Sequence, residues 1–477
     1  MTELSRFAAL DVEEYQAATA LDLAQRVADG SLSPVQLTEC ALHIARAAEP
    51  VINAYAALLP ERALRDAAER EAEARSGRIR GRLHGIPIAV KDNFYYEGEP
   101  TWKGSLTSSD EPAPVSAPMV ARLTAAGAIV IGKATTPEFG WKGTGISPRT
   151  GVTRNPWDPA RNSGGSSAGS AATVASGAVP VAIGTDGGGS IRIPASFCGV
   201  VGFKPTLGAI PVWPGTANET LSHAGPLTRS VADARAVFGL TRGPDARDPQ
   251  SFFPAPLADP PGRRWRVGVV REPFGVAPDT AVAAVFDRAC ALVRSAGVAE
   301  LDDVADLGAP LPRDVFEAMW VTGRGLGYAG LIRDRGDVMD PGLVRLGPLA
   351  QQYSLADYYR VMEARRAFNA RMFGLFDDWD LLLLPTMPGT AFAADAEVPP
   401  GGDAGAPLPW ITWAPYTYPF NITGQPAISI PCGLAPGNLP VGLQIVGPWA
   451  HDDRVLDFAQ SCERAVEPLN QTRVARI

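Results

Sequence analysis

Between Asn162 and Thr206 the chain reads N-S-G-G-S-S-A-G-S, a stretch of small residues, and then G-T-D-G-G-G-S-I-R-I-P-A-S-F-C-G-V-V-G-F-K-P-T. Glycine at this density lets backbone approach a ligand or another backbone closely and frees several N–H groups to point at one spot. Within it, S-S-A-G-S-A-A-T-V-A-S-G reads as a helix of small residues, and Pro180 to Ile183 as a buried strand. Strand–helix alternation of this kind calls for a layered α/β sheet with helices on both faces. Ser166 and Ser190, each behind glycine, lie 24 positions apart. A hydroxyl in such a run can attack a carbonyl whose developing oxyanion is bound by the same backbone.

A second motif lies upstream. G-I-P-I-A-V-K-D-N places Lys91 directly after a short apolar strand, Ile86 to Val90. A lysine serves as a base near neutral pH only when burial and neighbours destabilise its ammonium. The apolar lead-in suits that burial, and Asp92 and Asn93 read as braces of the turn.

The two glycine–serine segments and the lysine motif resemble the amidase signature family, the Ser–cis-Ser–Lys amide hydrolases. The likeness runs from about Leu23 to P-F-N-I-T-G-Q-P-A-I-S-I-P at Pro419 to Pro431. It implies a central mixed β-sheet sandwiched between helical layers. It also implies that Ser190 is the nucleophile, that Ser166, behind a cis Gly165–Ser166 bond, relays protons, and that Lys91 is the base. Gly187, Gly188, Gly189 and Ser190 are the oxyanion-hole candidates. Asp186 and Arg192 form an ion pair that stiffens the nucleophile turn on this reading, while Ser167 and Ser170 donate hydrogen bonds around the helix start. The chemistry needs no cofactor and no metal.

The chain as a whole is also similar to bacterial family members that cleave carbamates (urethanases), including aryl ones. The expected substrate is thus a small amide or carbamate, with water as co-reactant. A rival is the amidase-like subunit of the tRNA-dependent amidotransferase, which typically reads S-I-R-Q-P where this chain has Ile193.

Other motifs are weaker. Gly165 to Gly169 also fits G-x-S-x-G, with Ser167 as nucleophile, but that elbow needs a histidine and an acid downstream. His43, His84, His223 and His451 sit in no such context. Gly127 to Lys133 fits G-x-x-x-x-G-K, yet Ala134 replaces the Ser/Thr and the interior reads as strand, so no nucleotide site follows.

Along the 477 residues, positions 1–80 read as helical, with Ser33–Pro34 capping a helix to about Ala47 and a second from Arg62 to Ser76. Positions 81–242 hold the signature core, with helical spacing at Val115 to Ala126 and a strand at Ala128 to Ile131. At 243–402 the text changes: a Pro-rich loop, F-F-P-A-P-L-A-D-P-P-G, precedes a strand at Trp265 to Val270. Helices are expected at Thr280 to Gly297, Leu311 to Gly323 and Leu355 to Asp378. The resemblance makes this a variable region over the active site, and 403–477 a return to the core of one domain.

Aromatic residues cluster near the motifs. Phe94, Tyr95, Tyr96, Phe139, Trp141 and Tyr416 are candidate pocket walls, since pockets are mostly apolar with few polar anchors. They favour a hydrophobic substrate over a small charged one.

A formal charge of −8 argues against nucleic-acid binding, which wants basic faces. Five scattered cysteines fit reduced thiols in a cytosol. The start, M-T-E-L-S-R, is polar, and runs such as Leu381 to Leu384 are too short to cross a bilayer. The expectation is a cytoplasmic monomer or homodimer.

Overall fold

The computed structural model describes residues 10–252, 264–470 and 475. The first six residues and most of the Pro-rich loop lie outside this range. Among the described residues eleven strands form one mixed sheet. In chain order these are β1 (Tyr55–Leu58), β2 (Pro87–Lys91), β3 (Ile129–Ala134), β4 (Val181–Asp186), β5 (Val201–Lys204) and β6 (His223–Thr228). They continue with β7 (Trp265–Val269), β8 (Ala299–Asp303), β9 (Leu381–Pro385), β10 (Ala427–Ala435) and β11 (Leu439–Val446). The spatial order is β1-β3-β2-β4-β6-β5-β10-β11-β9-β7-β8. β3, β2 and β4 run parallel, as do β9, β7 and β8, and the centre is antiparallel. Three strands from the 243–402 region therefore join the same sheet.

Alternation along a strand turns successive residues to opposite faces. On β10, Ile428, Ile430 and Cys432 enter the core that also holds Val285 and Phe286 of the helix Thr280–Ser295. Ser429 points the other way, bonding Thr386 Oγ1 at 2.8 Å. On that face the helix Arg192–Cys198 lies close, with Ser196 Oγ accepting from Gly442 N–H at 3.1 Å. Helices thus cover both faces of the sheet, giving the expected α/β/α layers.

The small-residue helix forms as expected, at Ala168–Ala175, wholly buried. Its reason is close approach: a Cβ on Gly169 would sit 2.1 Å from the Ala54 carbonyl oxygen. Any larger residue would push the helix off β3. Gly127 to Lys133 runs into β3 as a strand, and the Lys133 ammonium pairs with Asp92 at 3.1 Å, so it serves the interior.

Helix ends differ modestly from the sequence reading. Ser33 caps its helix, accepting from Val35 and Gln36, but the helix runs on to Ile52 because Ala48 and Ile52 bury against the core. The helix expected at Leu311 to Gly323 spans Arg313–Gly327. Its glycines do not end it, because a Cβ on Gly325 would sit 2.2 Å from the Leu346 carbonyl oxygen of the neighbouring helix Pro341–Ala350. None of the described helices is long and apolar enough to cross a membrane.

Candidate active site

Lys91 closes β2, and parallel pairing with β4 brings Thr185 alongside it. The side chain is fully buried. Its Nζ lies 2.7 Å from Ser166 Oγ, 2.9 Å from Thr185 Oγ1 and 3.1 Å from Ser167 Oγ. All three partners are hydroxyls. Burial pushes the Lys91 pKa well below the usual lysine range; the Asp186 charge opposes this and the Arg324 charge adds to it. A neutral amine here can accept a proton from the hydroxyl it faces. Asn93 Nδ2 donates to Thr185 Oγ1 at 2.8 Å, so this neighbour of the lysine braces its partner.

Ser166 follows a cis peptide bond with Gly165. Ser167 Oγ donates to the Thr185 carbonyl and Ser170 Oγ to the Ile183 carbonyl, fastening the helix start to β4. Ser167 N–H also donates to the Ser190 carbonyl at 3.1 Å. That bond stitches the two serine loops together, and Ser190 is 5% exposed where Lys91 is sealed.

Asp186 ends β4 and organises the loop that follows. Its carboxylate accepts from Gly189 N–H at 2.6 Å and Ile191 N–H at 3.1 Å. Arg192 grips it through Nε and Nη2, both at 3.0 Å. Burial alone would raise the Asp186 pKa, but the Arg192 guanidinium and the Asn421 amide hold it well below the usual carboxylate range. The remaining Arg192 N–H groups reach the Thr417 carbonyl, Gln444 Oε1 and Asn421 Oδ1. Asn421 belongs to the C-terminal motif and also donates to the Asp186 main-chain oxygen at 2.9 Å. The third motif is thus the backing of the nucleophile turn.

This geometry corrects one expectation. The Gly189 N–H is turned onto Asp186 and is taken out of the oxyanion set. Gly189 has φ +130, and a Cβ there would sit 2.3 Å from Thr417 Oγ1, so glycine is required for the turn itself. Gly187, Gly188 and Ser190 remain as the oxyanion-hole candidates.

His223 lies beneath the loop, Nδ1 against the Leu221 carbonyl at 2.9 Å and the Asp186 carbonyl at 3.1 Å. Burial, with the Lys204 charge adding, drives its pKa well below the usual histidine range. It acts as a neutral packing residue, and G-x-S-x-G forms no elbow triad here.

The aromatic expectations divide. Phe94 and Tyr96 pack into the main core, and the Arg62 guanidinium covers the Tyr96 ring at 3.7 Å. Tyr416 is sealed, its hydroxyl donating to the Val276 carbonyl at 2.6 Å. These three are structural, because burial against the sheet uses up their surfaces. Tyr95 is half-buried against Trp213. Phe139 stacks on Tyr328 with centroids 4.6 Å apart, and it precedes Gly140, whose Cβ position is 3.1 Å from Ser166 Oγ. Trp141 and Trp410 line a cavity of about 610 Å³ together with Met339, Asp340 and Glu397.

Of the walls nearest the glycine loop, Trp410 lies in the aromatic stretch before the C-terminal motif, while Phe316 and Trp320 were not anticipated. A Cβ on Gly187 would meet the Trp320 ring at 3.0 Å, and one on Gly188 would meet Trp410 at 2.6 Å and Phe316 at 2.7 Å. Phe316 and Trp320 lie on the helix Arg313–Gly327, whose sequence carries no motif. Thr185, by contrast, sits inside G-T-D-G-G-G-S, where its place beside Asp186 was a usable signal.

A buried lysine among serine and threonine hydroxyls thus sits on an α/β scaffold beside a glycine-rich turn held by Asp186. The amidase family model matches residues 36–456, and the chain belongs to that family. It is 33% identical over 472 residues to the glutamyl-tRNA(Gln) amidotransferase subunit of Symbiobacterium thermophilum, covering 92% of this chain and 94% of the relative. It is 34% identical over 466 residues to the acylamidase of Rhodococcus erythropolis, covering 94% and 95%. Among solved structures, a bacterial aryl acylamidase of the amidase signature family superposes with a TM-score of 0.85 at 27% identity, covering 96% of this chain and 99% of that one. A 6-aminohexanoate cyclic dimer hydrolase complexed with substrate gives 0.84 at 29% identity, covering 96% and 98%. By class the protein is an amide C–N hydrolase.

Proposed function

We propose that the chain acts alone as a serine hydrolase on carbonyl C–N bonds of small apolar or aryl amides and carbamates. The carrying observation is the 2.7 Å approach of a buried Lys91 Nζ to Ser166 Oγ, on a loop tied to Ser190. In this reading neutral Lys91 takes a proton through Ser166 from Ser190, whose Oγ attacks the carbonyl carbon. The Gly187, Gly188 and Ser190 amides stabilise the tetrahedral oxyanion. The proton returns through Ser166 to the leaving nitrogen, the C–N bond breaks, and an acyl-enzyme stays on Ser190. Water then repeats the sequence and releases the acid; a carbamate passes through the same steps and loses carbon dioxide afterwards. Asp186, Arg192 and Asn421 hold the turn and touch no substrate.

A second reading, as the amidase-like component of a tRNA-dependent amidotransferase, is favoured by the identity to such chains. Against it stands Ile193, fully buried in the apolar cluster with Trp320 and Tyr418. The aromatic walls at Gly187 and Gly188 support a free hydrophobic substrate, and the cytoplasm suits its unpaired cysteines. The experiment is 4-nitroaniline release by the lone purified chain from an acyl 4-nitroanilide and an ethyl 4-nitrophenylcarbamate, with Ser190→Ala as control. Hydrolysis of both, lost in the variant, is expected. Hydrolysis of the anilide alone removes the carbamate, and silence on both shifts the assignment to the amidotransferase component.

A further inference from the structure

Arg324, on the helix Arg313–Gly327, is 6% exposed. Its Nη1 donates to the Phe139 carbonyl at 2.8 Å and to the Tyr328 hydroxyl at 3.2 Å, and the guanidinium lies over the Trp320 ring, 4.8 Å from its centroid. These neighbours locate it. Phe139 leads into Gly140, which abuts Ser166, and the Trp320 ring abuts Gly187. Arg324 therefore stands between the walls of the two serine loops.

No partner of this cation is an anion. Among the described residues no carboxylate pairs with it, its buried Nε has no acceptor, and both of its hydrogen bonds leave from Nη1. Other buried cations near the site have their acceptors: Arg192 pairs with Asp186, Lys133 with Asp92 and Lys142 with Asp340, while Lys204, which meets no carboxylate, donates to the Gln425 and Pro205 carbonyls. Arg365, which also lacks a carboxylate, spreads its bonds from Nε and both Nη groups over Ile422 and Thr220. Arg324 alone in this neighbourhood keeps the Nε–Nη2 edge free, and that edge matches the two oxygens of a carboxylate. Lys103 lies within reach of the same charge, its Nζ over the Tyr95 ring at 5.4 Å and unpaired. A buried guanidinium with so few acceptors is unfavourable until an anion joins it.

The geometry points to Arg324 as the anchor for a carboxylate on the substrate, so that the preferred amides carry an acid group beside their apolar or aryl part. This rests on the hydrolytic reading and narrows it. The expectation of a hydrophobic substrate over a small charged one gives way to an amphiphilic one. Pairing Arg324 leaves Lys91 a base, because burial is the larger cause of its lowered proton affinity.

The test is calorimetric binding to the Ser190→Ala protein, which needs no turnover. The probes are glutaranilate, with its acid on the acyl side, 4-acetamidobenzoate, with its acid on the amine side, and neutral N-phenylpentanamide. One acid should bind at least about tenfold tighter than the neutral probe, as expected for charge-assisted bonds, and which acid wins assigns the side. Adding Arg324→Gln should bring the ratio within about threefold, and Arg324→Lys should keep part of it. Both acids binding no tighter than the neutral probe, or not at all, overturns the proposal before any Arg324 variant is made. A preference that survives Arg324→Gln overturns it equally. Absence of anilide hydrolysis by the unaltered chain would instead remove the hydrolytic reading while the binding result stood.

Discussion

Lys91 Nζ faces Ser166 Oγ at 2.7 Å and meets only hydroxyl partners, with the nearest acid, Asp186, already held by Arg192. The fold thus keeps a lysine out of water without giving it a counter-ion. Its folded pKa lies below its unfolded value, so between the two the unfolded chain binds more protons and stability rises with pH. Each unit of depression costs about 1.4 kcal/mol at pH values below the folded pKa. Lys91→Met removes that penalty but strands three hydroxyls. Its stability relative to wild type should therefore be highest below the folded pKa of Lys91 and fall as pH rises from there toward the unfolded value. Urea unfolding at several pH values reads this, and a pH-independent difference would mean that Lys91 is charged in the native state.

Activity should follow the same group with the opposite emphasis. As pH falls through the folded pKa of Lys91, the amine is protonated and kcat/KM drops on the acid limb. Ser166→Ala cuts the link between lysine and nucleophile, and the loss of a general-base pathway predicts about 10²–10⁴-fold lower kcat. A pH–rate profile on a 4-nitroanilide, for wild type and Ser166→Ala, checks both. An acid limb that persists unchanged in Ser166→Ala would assign the titration elsewhere.

Asp186 offers a different test, because its partner cannot lose its charge. Asp186→Asn leaves Arg192 buried opposite a neutral amide and weakens the acceptor for Gly189 and Ile191 N–H. Breaking one side of a buried pair costs about 3–5 kcal/mol. The variant should be destabilised by that amount and should lose kcat more than KM, since the nucleophile turn slackens. In the wild type the same carboxylate, held below its unfolded pKa, adds stability above about pH 4 that is lost as pH falls through its folded value. Chemical denaturation with parallel kinetics decides it, and a variant with wild-type stability would show that the pair is dispensable.

These residues were legible because their signals are local. Lys91, Ser166, Ser190, Asp186 and Arg192 sit in contiguous motifs, where neighbours dictate the turn. The start of the helix Leu355–Asp378 likewise has a local cause, since Ser354 and Asp357 form a capping box. Gly189 was misplaced for the converse reason: three successive glycines give no sign of which N–H turns inward. Phe94 and Tyr96 look like pocket residues in sequence, but an aromatic ring satisfies a core as readily as a cavity. Arg324, Phe316 and Trp320 were invisible, since their role depends on how a helix more than a hundred residues downstream docks over the glycine loop.

That docking makes Gly188 a gauge of the substrate space. A methyl group there would lie 2.6 Å from Trp410 and 2.7 Å from Phe316, inside contact distance of both rings, while Thr417 Oγ1 pins the Gly188 carbonyl at 2.8 Å. Gly188→Ala cannot relieve the clash by moving the backbone without disturbing that bond. Overpacking of this sort costs about 1–3 kcal/mol. Much of it should appear in catalysis, because the Gly188 N–H is one of the three remaining oxyanion candidates, and displacing one donor predicts about 10²–10³-fold lower kcat. Phe316→Ala vacates part of the space, so Gly188→Ala/Phe316→Ala should recover at least about tenfold of the lost kcat while Phe316→Ala alone mainly raises KM for aryl substrates. Steady-state kinetics on the four proteins of this cycle measures the coupling. Strict additivity would mean that the Phe316 ring does not press on Gly188, and that the aromatic wall lies elsewhere.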